Sequence, residues 1–245
     1  MNREDHLFPE LLDPARLAGP VLVLMPHPDD EVIGCGGMMA LHRQAGQEVT
    51  VVHASAGEGG DPEGRFPDLA QRRAREVERA LARLGVGPPR CLGCRDGELH
   101  QVPDLTERLL PVLGRRGVAT LYLPSPLDCH SDHRVLARAA AAAAGRTCPP
   151  EAVCMVTGIN NMGLPNTLVD ITSVLEAKEE ALRCFASQLS YIDFASKVMW
   201  RDRAATVNIE DRGVLACEAF MRLPAGRLAS FARAAGDLED ILYGG

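Results

Sequence analysis

Short runs of aliphatic and β-branched residues alternate five times with amphipathic segments, and this alternation limits the possible fold more than any other feature of the chain. Between Leu69 and Leu84, apolar residues recur three and four positions apart, which is typical of one helical face. The runs themselves are nearly all apolar, as strands buried on both faces require. The pattern therefore predicts an α/β, Rossmann-like parallel sheet covered by helices on both faces. The five predicted strands are Val21–Met25, Glu48–His53, Arg90–Gly93, Ala119–Leu123 and Ala152–Val156.

The chain after Gly158 follows this alternation less closely. Here the sequence predicts an edge strand over Thr167–Ile171, a helix over Thr172–Ala186 and a late strand over Ala216–Leu223. No linker, repeat or low-complexity segment interrupts the chain. We therefore expect a single α/β domain over residues 1–245, whose first five strands take the order 3-2-1-4-5 and whose last part is a C-terminal elaboration.

The charge balance argues against two classes of partner. The formal net charge is -7, and no concentrated basic patch is present, so neither a nucleic acid nor an anionic membrane surface is an expected ligand. The run Arg72-Arg73-Ala74-Arg75 is flanked by acidic residues on one predicted helix and indicates a solvated face. No secretory signal is visible, and no apolar run approaches the ~20 residues of a membrane span, so we expect a cytoplasmic protein.

The eight cysteines do not form a disulfide framework. Cys91 and Cys94 form a C-x-x-C pair, but no second pair at zinc-finger spacing accompanies it. We therefore expect buried, reduced thiols rather than a structural zinc or redox site.

Charged residues directly follow the first predicted strand, in the stretch VLVLMPHPDDEVIGCGG (Val21–Gly37). Ligands of a parallel sheet collect at the carboxyl ends of its strands, where His27, Asp29 and Asp30 would lie. A dinucleotide site is disfavoured, because the glycines do not form G-x-G-x-x-G and the acidic residues would repel a pyrophosphate. Imidazole and carboxylate together are typical of a metal site, with zinc favoured over iron or manganese.

The local geometry of this stretch supports a division of labour between its two aspartates. Pro28 stiffens the turn, so that His27 and Asp30 can converge on one ion. Adjacent side chains of a turning segment point in different directions, so Asp29 can face a metal-bound water instead. The glycines that follow allow the next helix to start close to the site.

A second motif supplies the further ligand that a metal site needs. The stretch PSPLDCHSDHRV follows the fourth predicted strand, and its His130 and His133 stand three positions apart, on one face of a helix that begins near Ser131. The strand order 3-2-1-4-5 places this motif beside the first one. A plainer interpretation remains for each motif alone, since Ser131 and Asp132 could be capping residues and surface histidines are common.

With these two motifs, the chain resembles the PIG-L/LmbE-like family of zinc-dependent N-deacetylases. Members carry H-P-D-D-E after the first strand and H-x-D-H after a later one, which correspond here to His27–Glu31 and His130–His133. Further similarity covers most of the chain. It consists of Arg73-x-x-Glu76, Asp96-Gly97, Asn166–Thr172, Ala177–Leu182 and Ser187-Gln188.

The resemblance implies a zinc ion and a general base. By this resemblance, His27, Asp30 and His133 bind Zn²⁺, although other divalent transition metals would fit the same ligands. Asp29 would be the general base. Three protein ligands leave a position open for water, as catalytic rather than structural zinc sites do.

The resemblance also implies roles for residues around the metal. His130 would stabilise the oxyanion and help to protonate the leaving amine, with Asp132 orienting it. Arg73 and Asp96 match positions at which some relatives contact the sugar or its attached group. One difference is that a mycothiol-pathway member of the family has a tyrosine two residues before the first histidine of H-x-D-H, where this chain has Asp128.

The sequence therefore favours an enzyme that removes the N-acetyl group of an N-acetylated amino sugar or glycoside and releases acetate. The alternatives are an amidase for a larger N-acyl or thiol-conjugate glycoside, and a metal-binding protein without catalysis. The expected partner is a small amino-sugar substrate, and the resemblance implies a homo-oligomer, a trimer or hexamer. Glu31 is expected to support the site rather than to bind metal, and residues 57–67 form either a substrate-covering loop or a plain surface loop.

Overall fold

The computed structural model describes residues 8–114, 117–161 and 164–243. Within these residues, one eight-stranded sheet has helices on both faces. Its strands are β1 (Glu10–Leu11), β2 (Val21–Met25), β3 (Val49–Ser55), β4 (Arg90–Cys94), β5 (Thr120–Pro124), β6 (Val153–Thr157), β7 (Thr167–Asp170) and β8 (Cys217–Pro224). The α-helices are α1 (Asp30–Gln44), α2 (Leu69–Arg83), α3 (Leu105–Leu113), α4 (Ser131–Thr147), α5 (Leu175–Leu182), α6 (Ala186–Leu189), α7 (Phe194–Ala204) and α8 (Ala225–Tyr243).

The sheet has the strand order β1-β7-β8-β6-β5-β2-β3-β4. The five strands from β2 to β6 are mutually parallel and follow the predicted order 3-2-1-4-5, which is confirmed. The pairing of β2 with both β3 and β5 makes β2 a topological switch point, where the chain leaves in opposite directions along the sheet. This arrangement brings the carboxyl ends of β2 and β5 side by side.

The C-terminal strands extend the sheet in a way that the sequence predicts only in part. The late strand is confirmed as β8, which pairs antiparallel with both β6 and β7. The prediction that Thr167–Ile171 forms an edge strand is wrong, because β7 lies between β8 and β1. The two-residue strand β1 pairs parallel with β7 and is too short to give a periodic pattern.

Two apolar cores lie on the two faces of the sheet, which explains why the strands are nearly all apolar. Along β2, Val23 and Met25 face one core with residues of α1, α2 and α5, whereas Leu22 and Leu24 face the other with residues of α3, α4 and α8. The alternation of side chains along a strand produces this division. The arrangement confirms the predicted two-sided burial.

The sequence predicts a helix from about Gly36 to Ala45 after the first charged stretch. Helix α1 instead begins at Asp30, and it is broken at Cys35 (φ -150°, ψ 29°). The sequence pattern does not reveal the first turn of this helix, because the turn starts with two acidic residues and a glycine-rich segment follows. Close packing explains one of these glycines. A Cβ at Gly37 would lie 2.6 Å from Cγ2 of Ile171, so only glycine lets α1 approach this closely.

None of the helices in the described ranges is both long and apolar enough to cross a bilayer. All eight cysteines are free, as expected. Their burial differs from the prediction, however, because Cys91 and Cys129 are exposed. Cys91 lies on β4 at the end of the sheet, where one flank of the strand has no neighbour among the described residues.

Candidate active site

The two charged motifs meet at the carboxyl ends of β2 and β5. The residues His27–Glu31 follow β2, and the segment Asp128–His133 follows β5 and enters α4. Since β2 and β5 are adjacent parallel strands, both segments lie at the same edge of the sheet. The two motifs therefore lie side by side in the structure, as the strand order predicts.

Three buried side chains at this edge are arranged as a metal-binding group. Oδ2 of Asp30 lies 3.2 Å from Nδ1 of His27 and 3.3 Å from Nε2 of His133. Their ligand atoms all lie within 4.8 Å of one another, so the three residues could hold one ion. A second group of His27, His130 and Asp132 is equally compact, but its His130 is less buried than the other two residues, whereas the first group is buried throughout.

The turn that presents these ligands is fixed by the residues inside it. The backbone N–H of His27 donates to Oδ2 of Asp30 over 3.0 Å, which closes the turn around Pro28. Asp29 then adopts φ 123°, and it is the sole non-glycine residue with positive φ in the described part of the chain. This backbone conformation is rare for a residue with a side chain and points Asp29 away from Asp30.

A further set of carboxylates surrounds the two buried imidazoles. Nε2 of His27 lies 2.9 Å from Oδ1 of Asp96 and 3.2 Å from Oδ2 of Asp132. The carboxylate of Asp132 also accepts hydrogen bonds from the backbone N–H groups of Gly97 and Leu99. The carboxylate of Asp132 thus contacts His27, while the backbone N–H of Asp132 donates to Nδ1 of His130.

Asp128 is a site residue whose contacts the sequence did not reveal. Its Oδ2 lies 3.3 Å from Nδ1 of His133, on the side of the ring away from Asp30. The backbone N–H of His130 and the Asn160 side chain both donate to its other oxygen. Carboxylates in this position commonly orient a metal-binding histidine, and a carboxylate five residues before His133 in the same loop was the available indication.

Arg73 lies against Asp29, although it belongs to the basic run that was expected to be solvated. The residue is only 3% exposed, and its Nη2 lies 3.0 Å from Oδ2 of Asp29. The guanidinium also donates to the carbonyl oxygens of Pro28 and Gly57. The prediction of a solvated face is therefore wrong for Arg73, whose helix α2 turns this residue towards the sheet edge.

The pKa of Asp29 is raised to about 7. Burial of the carboxylate is the main cause, and the charges of Asp30 and Glu31 add to it, while Arg73 acts in the opposite direction. A carboxylate with its pKa near neutrality can both accept and return a proton.

The buried imidazoles respond to the surrounding carboxylates. Burial alone would lower the pKa of His133, but the charges of Asp30 and Asp128 outweigh it and raise this pKa to about 9. Burial likewise opposes the charge on His27, yet the hydrogen bonds that its ring donates to Asp132 and Asp30 hold its pKa well above the ordinary value. The site therefore carries an excess of negative charge that attracts cations.

His130 differs from the two buried histidines. It is half-buried, and its ring centroid lies 4.9 Å from those of both His27 and His133. Its Nδ1 accepts the N–H of Asp132 at the start of α4, so a neutral ring carries its proton on Nε2. Burial, followed by the charges of His27 and His133, lowers the pKa of His130.

The loop over residues 57–67 forms one wall of this edge. Its Gly59 donates a backbone N–H to Oδ2 of Asp96 over 2.9 Å. On its other side, the Gln188 side chain donates to the carbonyl oxygen of Gly60, and the Tyr191 hydroxyl contacts Asp61. Asp96 thus connects the loop to His27.

Comparison with known proteins places this geometry in a family. Residues 22–144 match the family described as PIG-L, GlcNAc-PI de-N-acetylase. The chain is 30% identical, over 69% of its length and 82% of the relative's, to the probable N-acetyl-alpha-D-glucosaminyl L-malate deacetylase 2 of Bacillus subtilis (strain 168). It is 31% identical, over 70% of its length and 81% of the relative's, to the 1D-myo-inositol 2-acetamido-2-deoxy-alpha-D-glucopyranoside deacetylase of Nocardia farcinica (strain IFM 10152).

A solved structure has the same architecture. The N,N'-diacetylchitobiose deacetylase from Pyrococcus horikoshii superposes with a TM-score of 0.74 and 26% sequence identity, over 84% of each chain. The matched residues 22–144 contain both charged motifs and the strands that carry them. The chain therefore belongs to the PIG-L family of GlcNAc-PI de-N-acetylases, a family of amide-hydrolysing enzymes.

Proposed function

We propose that this enzyme uses Zn²⁺ to hydrolyse the N-acetyl amide of an N-acetylated amino sugar or glycoside, releasing acetate and the free amine. The observation that carries the proposal is the buried group of His27, Asp30 and His133 with Asp29 beside it. The relatives are named as deacetylases of glucosamine-containing compounds, which supports the substrate class.

The donor set fits a zinc ion. His27, Asp30 and His133 would hold it, since two imidazoles and a carboxylate are typical zinc ligands. The surrounding carboxylates would offset the ion's charge and orient both imidazoles. When bound, such an ion polarises the amide carbonyl and lowers the pKa of a coordinated water.

We assign the general base to Asp29. Its carboxylate lies outside the ligand group, is held by Arg73, and has a pKa near 7. It can therefore accept a proton from the attacking water at neutral pH and pass it towards the departing nitrogen. We propose that Arg73 holds the base in place. Its buried guanidinium contacts the Asp29 carboxylate and donates to the carbonyl oxygens of Pro28 and Gly57.

His130 is the donor that we assign to the reacting carbonyl and the leaving amine. It is half-buried beside the two buried imidazoles, and its Nε2 is the nitrogen that does not accept the Asp132 N–H. A neutral or protonated Nε2 can donate to a developing oxyanion, and a donor of this kind typically contributes ~10²–10³ in turnover. Asp132 is proposed to act through His27 instead, and Asp96 to contribute to substrate binding from the rim.

Two alternatives remain distinct from this proposal. An amidase for larger N-acyl groups would use the same residues with a different acyl pocket. A metal-binding protein without catalysis would need neither Asp29 nor His130, and both are present beside the ligand group. Assembly into a trimer or hexamer and the cytoplasmic location stay predictions from the sequence.

Acetate release tests the proposal directly. Zinc-loaded protein is incubated with N-acetylglucosamine, with glycosides of it, and with the matching N-butanoyl and N-octanoyl compounds. We expect acetate and a free amine from the acetylated compounds, and release slower by roughly 10²–10⁴-fold from the Asp29→Asn variant. Preference for the longer acyl groups would support the amidase alternative, and no release from any compound would support metal binding alone.

A further inference from the structure

Asp29 has an unusual backbone conformation that the surrounding structure must stabilise. Its φ of 123° is disfavoured for residues with a side chain. Such conformations persist where neighbouring groups hold them, and they are concentrated at functional sites. A neighbouring group must therefore hold the Asp29 backbone in this conformation.

The position of Asp29 at the start of α1 makes the conformation more notable. An aspartate at this N-cap position ordinarily turns its side chain back to accept an N–H of the first helical turn. Here the Asp29 side chain makes no capping hydrogen bond, and its carboxylate faces Arg73 instead. The backbone conformation thus releases the carboxylate from its usual capping role.

Glu31 provides the contact that fixes the Asp29 peptide. The backbone N–H of Asp29 donates to Oε2 of Glu31 over 3.1 Å. The same oxygen lies 2.8 Å from Nε2 of His53, which comes from the neighbouring strand β3. Glu31 is fully buried and His53 is 2% exposed, so water does not compete for these contacts.

Glu31 is not used as a metal ligand in this arrangement. Neither potential metal group among the described residues includes it, and its Oε1 has no hydrogen-bond partner there. Burying a carboxylate with one oxygen unpaired is unfavourable unless it serves another requirement. The requirement visible here is the backbone of Asp29.

We propose that Glu31, supported by His53, is a positioning residue that holds the Asp29 peptide in its unusual conformation and thereby aims the Asp29 carboxylate at the reacting water. The role rests on the proposed function, in which Asp29 is the base. Glu31 does not contact the reacting atoms and acts through Asp29. A small misplacement of such a base is sufficient to reduce turnover strongly.

Two substitutions of Glu31 separate positioning from simple packing. Glu31→Leu fills a similar volume but removes the acceptor, whereas Glu31→Gln keeps an oxygen that can accept from Asp29 and His53. We expect Glu31→Leu to lower kcat on the order of 10- to 100-fold with little change in KM, and Glu31→Gln to retain most turnover. Zinc content should stay near one per chain in both variants, because the three ligands are untouched.

The contact between the Asp29 N–H and Glu31 can also be measured without an activity assay. Amide hydrogen exchange by NMR reports the Asp29 N–H, which should be protected in the wild type and in Glu31→Gln and exchange faster in Glu31→Leu. The matched control is Thr120→Val, which removes a buried hydrogen bond to the Ala18 carbonyl oxygen at the opposite end of the strands. This control should change neither kcat nor Asp29 exchange.

A double-mutant cycle tests whether Glu31 acts through Asp29. In an Asp29→Asn background, Glu31→Leu should reduce the residual turnover by less than it does in the wild type, because the positioned base is gone. An equal reduction in both backgrounds would overturn the proposal. If Glu31→Leu fails to fold, His53→Phe removes the supporting donor and should give faster Asp29 exchange and lower kcat; unchanged values would also overturn it.

The two proposals fail in distinguishable ways. A zinc-loaded wild type that releases no acetate contradicts the proposed function, while amide exchange still measures the hold of Glu31 on Asp29. An active wild type whose Glu31→Leu variant keeps its kcat and its Asp29 protection contradicts the positioning role alone.

Discussion

At the scale of single residues, the site depends on carboxylates that differ in what they contact. Asp30 lies between two imidazoles, Asp29 lies against an arginine, and Asp128 lies behind His133. The residue types of the two motifs indicated a metal site, and the resemblance to the family implied His27, Asp30 and His133 as its ligands. The sequence could not assign the contacts of Asp128 and Asp132, since these depend on side-chain directions within one loop.

Replacing the proposed base should separate metal binding from turnover. We expect Asp29→Asn to keep about one zinc per chain and to lose turnover by roughly 10²–10⁴-fold, the usual contribution of a general base. Metal analysis together with acetate release measures both quantities. A parallel loss of zinc would contradict the assignment and make Asp29 a ligand.

Removing the carboxylate behind His133 should weaken metal binding without abolishing it. Asp128→Asn loses the charge that lies 3.3 Å from Nδ1 of His133, so we expect zinc affinity to fall by about 10- to 100-fold. Competition with a chromophoric chelator measures this affinity. The control is Asp68→Asn, which changes an exposed carboxylate directly before α2. This variant should bind zinc like the wild type.

At the scale of secondary-structure elements, the break in α1 is compensated by charged residues from three other elements. Glu218 of β8 accepts the N–H groups of Gly37 and Met38, which begin the second part of the helix. Lys178 of α5 lies 2.6 Å from both Glu218 and Asp202 and is fully buried. These contacts satisfy helix ends that would otherwise be unpaired in the interior.

The sequence does not reveal this cluster. Lys178 stands in an acidic, amphipathic segment, and Glu218 and Asp202 lie in separate elements far along the chain. Each residue taken alone is typical of a solvated surface position. Only the packing of α5, α7 and β8 against α1 brings them together.

Removing the buried ammonium group of Lys178 should strongly lower the free energy of unfolding. Lys178→Met leaves the carboxylates of Asp202 and Glu218 buried without their partner, and we expect the free energy of unfolding to fall by about 3–5 kcal/mol. Urea denaturation measures this change. The exposed pair Arg183–Glu179 is the comparison, and Arg183→Met should lower the free energy of unfolding far less, because solvent screens this pair. Equal costs for the two variants would show that the buried cluster contributes no more than a surface pair.

At the scale of the whole molecule, the strand order joins two distant segments of the chain into one site. The predicted order 3-2-1-4-5 was accessible from the sequence, because strands and helices alternate regularly up to β6. The position of β7 was not, since its neighbour β1 comes from the two residues Glu10 and Leu11. Short strands of this kind leave no periodic pattern and depend on the rest of the sheet.

Because the proposed ligands come from two segments that meet only in the folded chain, zinc should stabilise the whole fold. We expect zinc at about 100 times its Kd to raise the free energy of unfolding by about 2.7 kcal/mol, with a corresponding rise in Tm that a chelator reverses. Thermal unfolding with and without zinc measures the effect. His133→Ala should lose the response, and a full response in that variant would remove His133 from the ligand set.

The most direct test of the central claim is an anomalous-difference map, collected at the zinc absorption edge from crystals of the zinc-loaded enzyme. The account predicts one strong peak within about 2.0–2.2 Å of a nitrogen of His27, an oxygen of Asp30 and a nitrogen of His133. A peak bound by other residues, or no peak at these three, would contradict it.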